Sequence, residues 1–269
     1  MPSALRSRAV PPDRPASPRR RRVRIGPVDI DALGLAEAID AIEELVARRR
    51  GGMIFTPNVD HVVLADENPL LREAYAEADL SLVDGVPVMW AARALGSPLP
   101  EKVSGSDLVR PLVARAAERG WGIYFLGGRP GVAAKAKEIL EREFPGVRIV
   151  GVSSPDIDLS RDVSEQADAI AAVRAAQPDL LFLALGAPKQ EIWGRRIRDA
   201  VAPAVILGVG ASLDFVAGEA KRAPRWMSSV GLEWLYRLAQ EPRRMWRRYL
   251  VRDPRFVAIV VRQAIARRP

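Results

Sequence analysis

The residues best suited to chemistry follow two apolar segments of the chain. Asp84 comes directly after one of them, and Thr56 and Asn58 flank Pro57 after another. A carboxylate at the end of a buried strand is suited to act as a general base on a hydroxyl group. A hydroxyl and an amide held by a rigid proline turn are suited to bind a sugar. The same residue types also cap helices, so Asp84 and Asn58 each keep that second interpretation.

Three Gly-containing turns are of the kind that binds nucleotides. Glycine lets the backbone approach a phosphate, and the N-terminus of a following helix offers free N–H groups. The amide or carboxylate of a side chain in such a turn can bind ribose or a base edge. There are two alternatives. The glycines could serve only to form tight turns, and the carboxylate could be an acid favoured in the first turn of a helix. The residues in these turns are Gly127, Gly128, Gln190, Glu191 and Gly210.

The chain after Gly218 combines arginines with aromatic residues. Three of the six tryptophans lie there. Arginines near a nucleotide indicate phosphate binding, whereas arginines beside Trp and Tyr indicate a lipid headgroup surface. The alternative is a helical cap that packs its tryptophans onto the core. The candidate diphosphate and membrane residues are Arg222, Arg225, Arg237 and Arg244.

Other reactive patterns carry less weight. His61 is the only histidine, and near a helix start we interpret it as a structural hydrogen-bond partner. Asp29-Ile-Asp31 and Asp156-Ile-Asp158 have the D-x-D pattern of metal–nucleotide sites, but short acidic matches are common by chance. No cluster has metal-ligand spacing, and we expect no metal and no cofactor. A Ser–His–Asp triad is not favoured either, because no G-x-S-x-G elbow occurs.

Short apolar runs alternate with amphipathic segments and must position these residues. This alternation predicts βαβ units, and therefore an α/β, Rossmann-like fold with a mainly parallel sheet and helices on both faces. The polar turns would then all lie at the carboxyl ends of strands, where such sheets bind ligands. The expected strands are Met53–Phe55, Leu80–Val83, Gly122–Leu126, Arg148–Val152, Leu180–Leu185 and Val205–Leu207.

Charge divides the 269 residues into three parts. Residues 1–24 carry eight arginines and one acid, residues 25–218 carry 20 basic and 28 acidic residues, and residues 219–269 carry 13 and 4. We therefore expect a disordered basic tail (1–22), an acidic α/β core (23–218) and a basic helical C-terminal appendage (219–269). The chain has no cysteine and no apolar run near the roughly 20 residues that span a bilayer. Its first residues include arginines without a following apolar stretch, so we do not expect a secretory signal there.

Six ordered blocks resemble the WecB/TagA/CpsF family of bacterial glycosyltransferases (glycosyltransferase family 26). The resemblance covers about residues 23–255, and its sixth block comprises residues 208–218, 221–226, 231–238 and 241–244. The other five are Thr56–Asn58, Leu82–Gly85, Val103–Leu108, Phe125–Gly128 and Leu185–Glu191.

The resemblance implies inverting transfer of an N-acetylhexosamine, typically N-acetylmannosamine, from a UDP-sugar. The implied acceptor is a polyprenyl-diphosphate-linked sugar used for cell-surface polysaccharide or teichoic acid. Asp84 is the implied general base, with Thr56 and Asn58 in its pocket and Gln190 and Asp214 on the nucleotide side. The implied setting is the cytoplasmic face of the membrane, where an appendage docks on anionic lipid and places arginines over the diphosphate. Self-association into a homo-oligomer is also implied.

The chain departs from the family pattern in two places. Lys102 stands where arginine is usual, which keeps the charge but loses bidentate phosphate geometry. Ser153-Ser154-Pro155 replaces a Gly–aromatic pair, which leaves the donor sugar open.

Two further function classes remain open at this point. A Rossmann-type oxidoreductase would need a G-x-G-x-x-G fingerprint, which is missing. A nucleic-acid-binding protein could use both basic ends, but the acidic core and the lack of an RNA motif argue against it, so we expect no nucleic acid partner.

Overall fold

A computed structural model describes residues 20–266, without the side chains of Arg225, Ser229 and Arg244. Within this range the chain forms eight strands. They are β1 (Arg22–Ile25), β2 (Val28–Asp31), β3 (Gly52–Phe55), β4 (Leu80–Ser81), β5 (Gly122–Gly127), β6 (Arg148–Ser153), β7 (Leu180–Ala184) and β8 (Val205–Gly208).

Helices connect and cover these strands. The same range contains thirteen α-helices, a 3-10 helix at Val163–Gln166 and a π-helix at Arg247–Arg252. The α-helices are α1 (Leu35–Ala47), α2 (Val59–Glu67), α3 (Pro69–Ala76), α4 (Val86–Ala94), α5 (Gly105–Arg119), α6 (Val132–Glu143), α7 (Ala167–Ala176), α8 (Lys189–Val201), α9 (Ser212–Val216), α10 (Arg225–Ser229), α11 (Glu233–Gln240), α12 (Pro242–Trp246) and α13 (Arg255–Ala266).

Six strands form one parallel sheet in the order β4-β3-β8-β7-β5-β6. The chain leaves β5 towards β6 and leaves β7 towards β8, which are opposite directions across the sheet. The boundary between the neighbours β5 and β7 is therefore a topological switch point, where α/β sheets open a crevice for ligands.

Side chains alternate between two apolar layers, one on each face of the sheet. Met53 and Phe55 belong to the layer that contains Trp193 of α8, whereas Ile54 belongs to the layer that contains Ala136 of α6. This alternation follows from the two-residue period of a strand. The expected α/β fold, with helices on both faces of a parallel sheet, is confirmed.

The expected strand over Leu80–Val83 is shorter in the structure, where β4 ends at Ser81. Its pairing continues as single hydrogen bonds, because Leu82 N donates to Phe55 O at 2.9 Å and Asp84 N to Pro57 O at 2.9 Å. These bonds hold the turn after β4 beside the turn after β3.

The hairpin β1–β2 was not expected from the sequence. Asp29 and Asp31, considered above as a D-x-D pattern, both lie in β2, and Asp31 is buried. Asp31 Oδ1 accepts from Arg22 Nε at 2.9 Å, and its Oδ2 accepts from Ser81 N at 2.8 Å. Asp31 therefore connects the hairpin to β4.

The expected disordered tail over 1–22 falls mostly on residues 1–19, which lie outside the described residues. Its last part differs from the expectation. Arg22 begins β1 because its guanidinium pairs with Asp31, and Arg20 Nη2 lies 3.2 Å from Glu44 Oε2.

The chain from α10 to α13 forms a C-terminal helical appendage. Phe256 and Ile259 of α13 are buried in the core layer that contains Val62 of α2. Gln263 bridges to the hairpin, where its Oε1 accepts from Gly26 N at 2.7 Å. The appendage therefore packs on the core through α13 while its earlier helices extend over the turns after β3 and β4.

Candidate active site

A cavity of about 440 Å³ lies between the appendage and the turns after β3 and β4. The core contributes Asn58, Asp84 and Lys102, and the appendage contributes acidic, basic and aromatic side chains. Its volume is within the usual range for small-molecule sites. The appendage residues used below are Glu233, Trp234, Arg237, Arg248, Tyr249 and Asp253.

Asp84 is partly exposed on the wall of this cavity. The helix that follows, α4, has Gly85 as its N-cap residue, with φ +111°, in a region that favours glycine. Asp84 is therefore not the cap of this helix. Val103 N donates to Val83 O at 2.8 Å, which fixes the backbone just before the carboxylate. The geometry leaves Asp84 free to meet a substrate.

Asn58 has the capping role, one of the two that the sequence left open, and its binding of a sugar stays a prediction. Its Oδ1 accepts from His61 N at 3.3 Å and caps α2, and the same oxygen accepts from Arg248 Nη2 at 3.3 Å. Asn58 also lines the cavity. Thr56 is buried two residues earlier and lies off the cavity wall.

Lys102 and Arg222 share one carboxylate at the start of α5. Asp107 Oδ2 lies 2.6 Å from Lys102 Nζ, and its Oδ1 lies 2.5 Å from Arg222 Nη2. Burial would raise the pKa of Asp107, but the hydrogen bonds from Lys102, Ser104 and Arg222 outweigh it and hold that pKa well below its usual value. Two cations are thereby fixed close to the cavity, with Lys102 on its wall.

Arg237 is the third expected cation and lies on the cavity wall. Its Nη2 is 3.2 Å from Glu233 Oε1, and its guanidinium stacks 5.3 Å from the ring centre of Phe215. The backbones of Arg225 and Arg244 lie in α10 and α12, but their side chains are outside the described part of the chain, so both stay predictions.

Arg248 and Asp253 belong to the site but were missed in the sequence. Arg248 Nε lies 3.2 Å from the Oδ2 of Asp60, and Arg252 Nε lies 2.6 Å from its Oδ1. Burial raises the pKa of Asp253 to about 6, against the opposing charge of Arg248. The spacing of Arg248 and Arg252, four residues apart, was the available signal, since it places both on one helix face.

The expected nucleotide turns lie at the switch point of the sheet. Gly127 has φ +105°, and Gly128 N donates to Ala184 O at 2.8 Å. A Cβ atom on Gly127 would lie 2.8 Å from the backbone of Ala184, so only glycine fits there. The turn after β8 lies close by, because Val209 N donates to Leu183 O at 2.8 Å.

Gln190 and Glu191 lie under the turn after β8 rather than in the open crevice. Gln190 is 4% exposed, its Oε1 accepts from Gly210 N at 3.0 Å, and its Nε2 donates to Glu191 Oε1 at 2.8 Å. Asp214 lies 3.5 Å from Arg129 and so joins α9 to the turn after β5. These side chains fix the nucleotide-side turns relative to one another.

The site has the parts of a group-transfer enzyme of the Rossmann-like class. A carboxylate faces a cavity that also presents Lys102, Arg237 and Arg248, and Gly-rich turns open at the neighbouring switch point. Fixed cations stabilise the negative charge that develops on a leaving phosphate. Between residues 20 and 266, no three acidic or histidine side chains are grouped to hold a metal ion.

The chain belongs to the glycosyl transferase WecG/TagA/CpsF family, whose model matches residues 23–269. One relative is the N-acetylglucosaminyldiphosphoundecaprenol N-acetyl-beta-D-mannosaminyltransferase of Bacillus spizizenii. It is 35% identical over 215 residues, which cover 80% of each chain. The resemblance seen in the six sequence blocks is confirmed, and the oxidoreductase and nucleic-acid-binding classes are set aside.

None of the helices between residues 20 and 266 combines the length and the apolar character that a bilayer span requires.

Proposed function

We propose that this protein transfers N-acetylmannosamine from a UDP-sugar to a polyprenyl-diphosphate-linked N-acetylglucosamine, with inversion at the anomeric carbon. The observation that carries the proposal is Asp84, a carboxylate on the wall of a cavity that also presents fixed cations. The relative from Bacillus spizizenii, named for this donor group and this type of acceptor, supports the choice of substrates.

The chemistry we propose is a single displacement. Asp84 removes the proton from an acceptor hydroxyl, whose oxygen forms a bond to the anomeric carbon from the face opposite the leaving group. The bond from that carbon to the diphosphate oxygen breaks, and UDP departs with the bonding electron pair. A positioned carboxylate base suits such a proton transfer.

The cations of the appendage, together with Lys102 of the core, have a matching role in this proposal. Arg237 and Lys102 lie on the cavity wall, and Arg222 is held beside Lys102 through Asp107. Guanidinium groups bind phosphate oxygens strongly in a partly dry site. The appendage would thus supply charge to a diphosphate while the core supplies the base.

The UDP moiety would occupy the crevice at the switch point between β5 and β7. Gly127 and Gly128, both with positive φ, form a tight backbone turn at that edge, next to the turn that contains Gly210. Gln190, Glu191 and Asp214 then act by fixing these turns. Gly-rich turns before helices are well suited to phosphates.

We also propose that the appendage docks on the anionic cytoplasmic face of the membrane. Trp226 is 64% exposed, Trp246 43% and Leu250 59%, so this segment does not pack all its apolar side chains onto the core. Thirteen of its residues are basic and four are acidic. Exposed aromatic and aliphatic side chains among arginines are typical of interfacial helices.

The test is a panel of UDP-sugars incubated with a short-chain lipid-diphosphate–N-acetylglucosamine and followed by mass spectrometry. We expect addition of one N-acetylhexosamine, with UDP-N-acetylmannosamine as the preferred donor. A matched acceptor that carries the sugar on an alkyl chain without the diphosphate should react poorly, because it lacks the anion that the arginines bind. Transfer of a different sugar, or equal use of both acceptors, would contradict the corresponding part of the proposal.

A further inference from the structure

A series of polar contacts runs beneath the cavity from the turn after β3 to the turn after β8. Asn58 N donates to His61 Nδ1 at 3.3 Å, and His61 Nε2 lies 3.4 Å from Glu191 Oε1. The same carboxylate oxygen accepts from Gln190 Nε2 at 2.8 Å, and Gln190 Oε1 accepts from Gly210 N at 3.0 Å. The series therefore joins the acceptor side of the site to its nucleotide side.

The three side chains in the middle of this series are buried. His61 is 8% exposed, Gln190 4% and Glu191 0%, and none of them lies on the cavity wall. In the described structure Glu191 Oε2 has no hydrogen-bond partner. Burying a polar or charged group costs free energy unless it is fully paired, so packing alone does not account for this arrangement.

His61 is the link that joins the two halves. Because its Nδ1 accepts a hydrogen bond from Asn58, the neutral ring carries its proton on Nε2, which faces Glu191. The 3.4 Å separation is longer than an ordinary N–H···O hydrogen bond, and a small movement would close it. Hydrogen bonds that matter in catalysis are often long before the substrate binds.

The acceptor end of the series also reaches the proposed base. Asp84 N donates to Pro57 O at 2.9 Å, and Pro57 precedes Asn58. A shift of Asn58 is therefore passed to the backbone that carries the Asp84 carboxylate.

We propose that His61, Glu191 and Gln190 are positioning residues that couple binding of the nucleotide at the Gly210 turn to the placement of Asn58 and Asp84. The contact between His61 and Glu191 already links the two sides in the ligand-free protein, and nucleotide binding shortens it and sets the acceptor side for transfer. This inference rests on the proposed function, since it takes the Gly210 turn as part of the nucleotide site.

The single histidine makes a direct test available, because the full-length ¹⁵N-labelled protein gives one imidazole spin system. We expect a long-range ¹H–¹⁵N spectrum to show the Nε2-protonated ring. Added UDP should shift both the Nε2 signal and the Asn58 amide. If UDP binds by calorimetry and neither signal moves, the coupling is wrong.

Two substitutions of His61 separate its two contacts. His61→Asn keeps an acceptor near the position of Nδ1 but loses the group that faces Glu191, whereas His61→Gln keeps a donor near Nε2 but loses the cap. If the series acts as a unit, both variants should lose roughly 10- to 100-fold in kcat, with the donor KM changed far less. If only the cap matters, His61→Asn should retain wild-type kcat, and the coupling is wrong.

Two substitutions of Glu191, one disruptive and one conservative, test whether its carboxylate contacts matter. Glu191→Ala should behave as His61→Asn does, and Glu191→Gln should recover most of the loss because its amide oxygen still accepts from both neighbours. Equal losses in both Glu191 variants would contradict the proposal.

A final arm needs neither UDP nor an acceptor, so it distinguishes failure of the coupling from failure of the proposed function. Gln190→Ala should shift the distant Asn58 amide in the ligand-free protein. Gln166→Ala is the matched control, because it removes a similarly buried amide elsewhere and should leave the Asn58 signal unchanged. If UDP does not bind at all, the nucleotide assignment fails, while an unmoved Asn58 amide in Gln190→Ala overturns the coupling itself.

Discussion

Arg248 Nε lies 3.2 Å from the Oδ2 of Asp60, and this ion pair fastens the appendage to α2 of the core. The Asp60 side chain is only 4% exposed and also lies 2.6 Å from Arg252. The same Arg248 side chain reaches Asn58 in the cavity. The buried carboxylate of Asp60 thus has two effects: it attaches the appendage to the core, and it orients the Arg248 cation in the site.

Asp60→Asn should loosen the appendage and lower activity without unfolding the core. Breaking a fully buried ion pair costs about 3–5 kcal/mol, and we expect a smaller loss because both arginines keep some exposure. Limited proteolysis should show faster cleavage after Gly218, and urea unfolding should show reduced stability. Asp66→Asn, which removes the more exposed pair with Arg262, is the control. Equal effects of the two substitutions would contradict the special role of Asp60.

The sheet and its ligand edge were predictable because buried strands leave continuous apolar runs and parallel strands end at one edge. The hairpin β1–β2 was not, since each strand has only four residues and an arginine-rich segment precedes them. Arg248 and Asp253 were missed for another reason. Their importance comes from contacts with residues near 60, about 190 positions away, whereas the spacing of Arg248 and Arg252 indicates only that they share a helix face and not what this face contacts.

Asp84→Asn should abolish most transfer while the protein stays folded. Loss of a general base lowers the rate by roughly 10²- to 10⁴-fold. UDP binding should persist, because the nucleotide turns lie at the other side of the site. The readout is the rate constant of transfer in single-turnover assays, with Asp156→Asn as a control on an exposed carboxylate. Near-full activity of Asp84→Asn would show that another group is the base.

Asp253 should make the protein less stable at neutral pH than at mildly acidic pH. Burial raises its pKa to about 6 in the folded protein, so between that value and an unfolded pKa near 3.9 the folded state binds the extra proton. This group therefore adds stability as the pH falls from 7, by about 1.4 kcal/mol per unit between the two pKa values. Its charged and titratable neighbours are Arg248, Asp60, Arg252 and His61.

Asp253→Asn tests this sign, because it removes the titration and resembles the protonated form. The variant should be more stable than the wild type at pH 7, and the difference should shrink towards pH 5. Urea unfolding at three pH values measures it. The lowered pKa of Asp107 makes stability fall as the pH drops, but only below the usual carboxyl range. Asp107 is present in both proteins, so its contribution cancels in the difference between their stabilities. A difference that does not change with pH would refute the assignment.

Trp246→Ser combined with Leu250→Ser should weaken membrane docking. These side chains are four residues apart and exposed, at 43% and 59%, so their loss should leave the fold intact. Burying one such side chain contributes about 1.5–3 kcal/mol, which corresponds to at least tenfold in vesicle binding. Leu70→Ser is the control on α3, where the side chain is 44% exposed. Co-sedimentation with anionic vesicles that is unchanged in the double variant would overturn the docking surface.

Gly127→Ala should damage the nucleotide crevice more than an equivalent change at Gly186. Both residues have positive φ, at +105° and +74°, so alanine at either position adds backbone strain of about 1–2 kcal/mol. Only Gly127 also faces a backbone, since its Cβ would lie 2.8 Å from Ala184, whereas Gly186 has nothing within 4 Å. Alanine at 127 must therefore push β5 and β7 apart at the switch point. We expect Gly127→Ala to lose more unfolding free energy than Gly186→Ala and to bind UDP more weakly in calorimetry. Equal losses in the two variants would mean that the close approach of β5 and β7 does not shape the crevice.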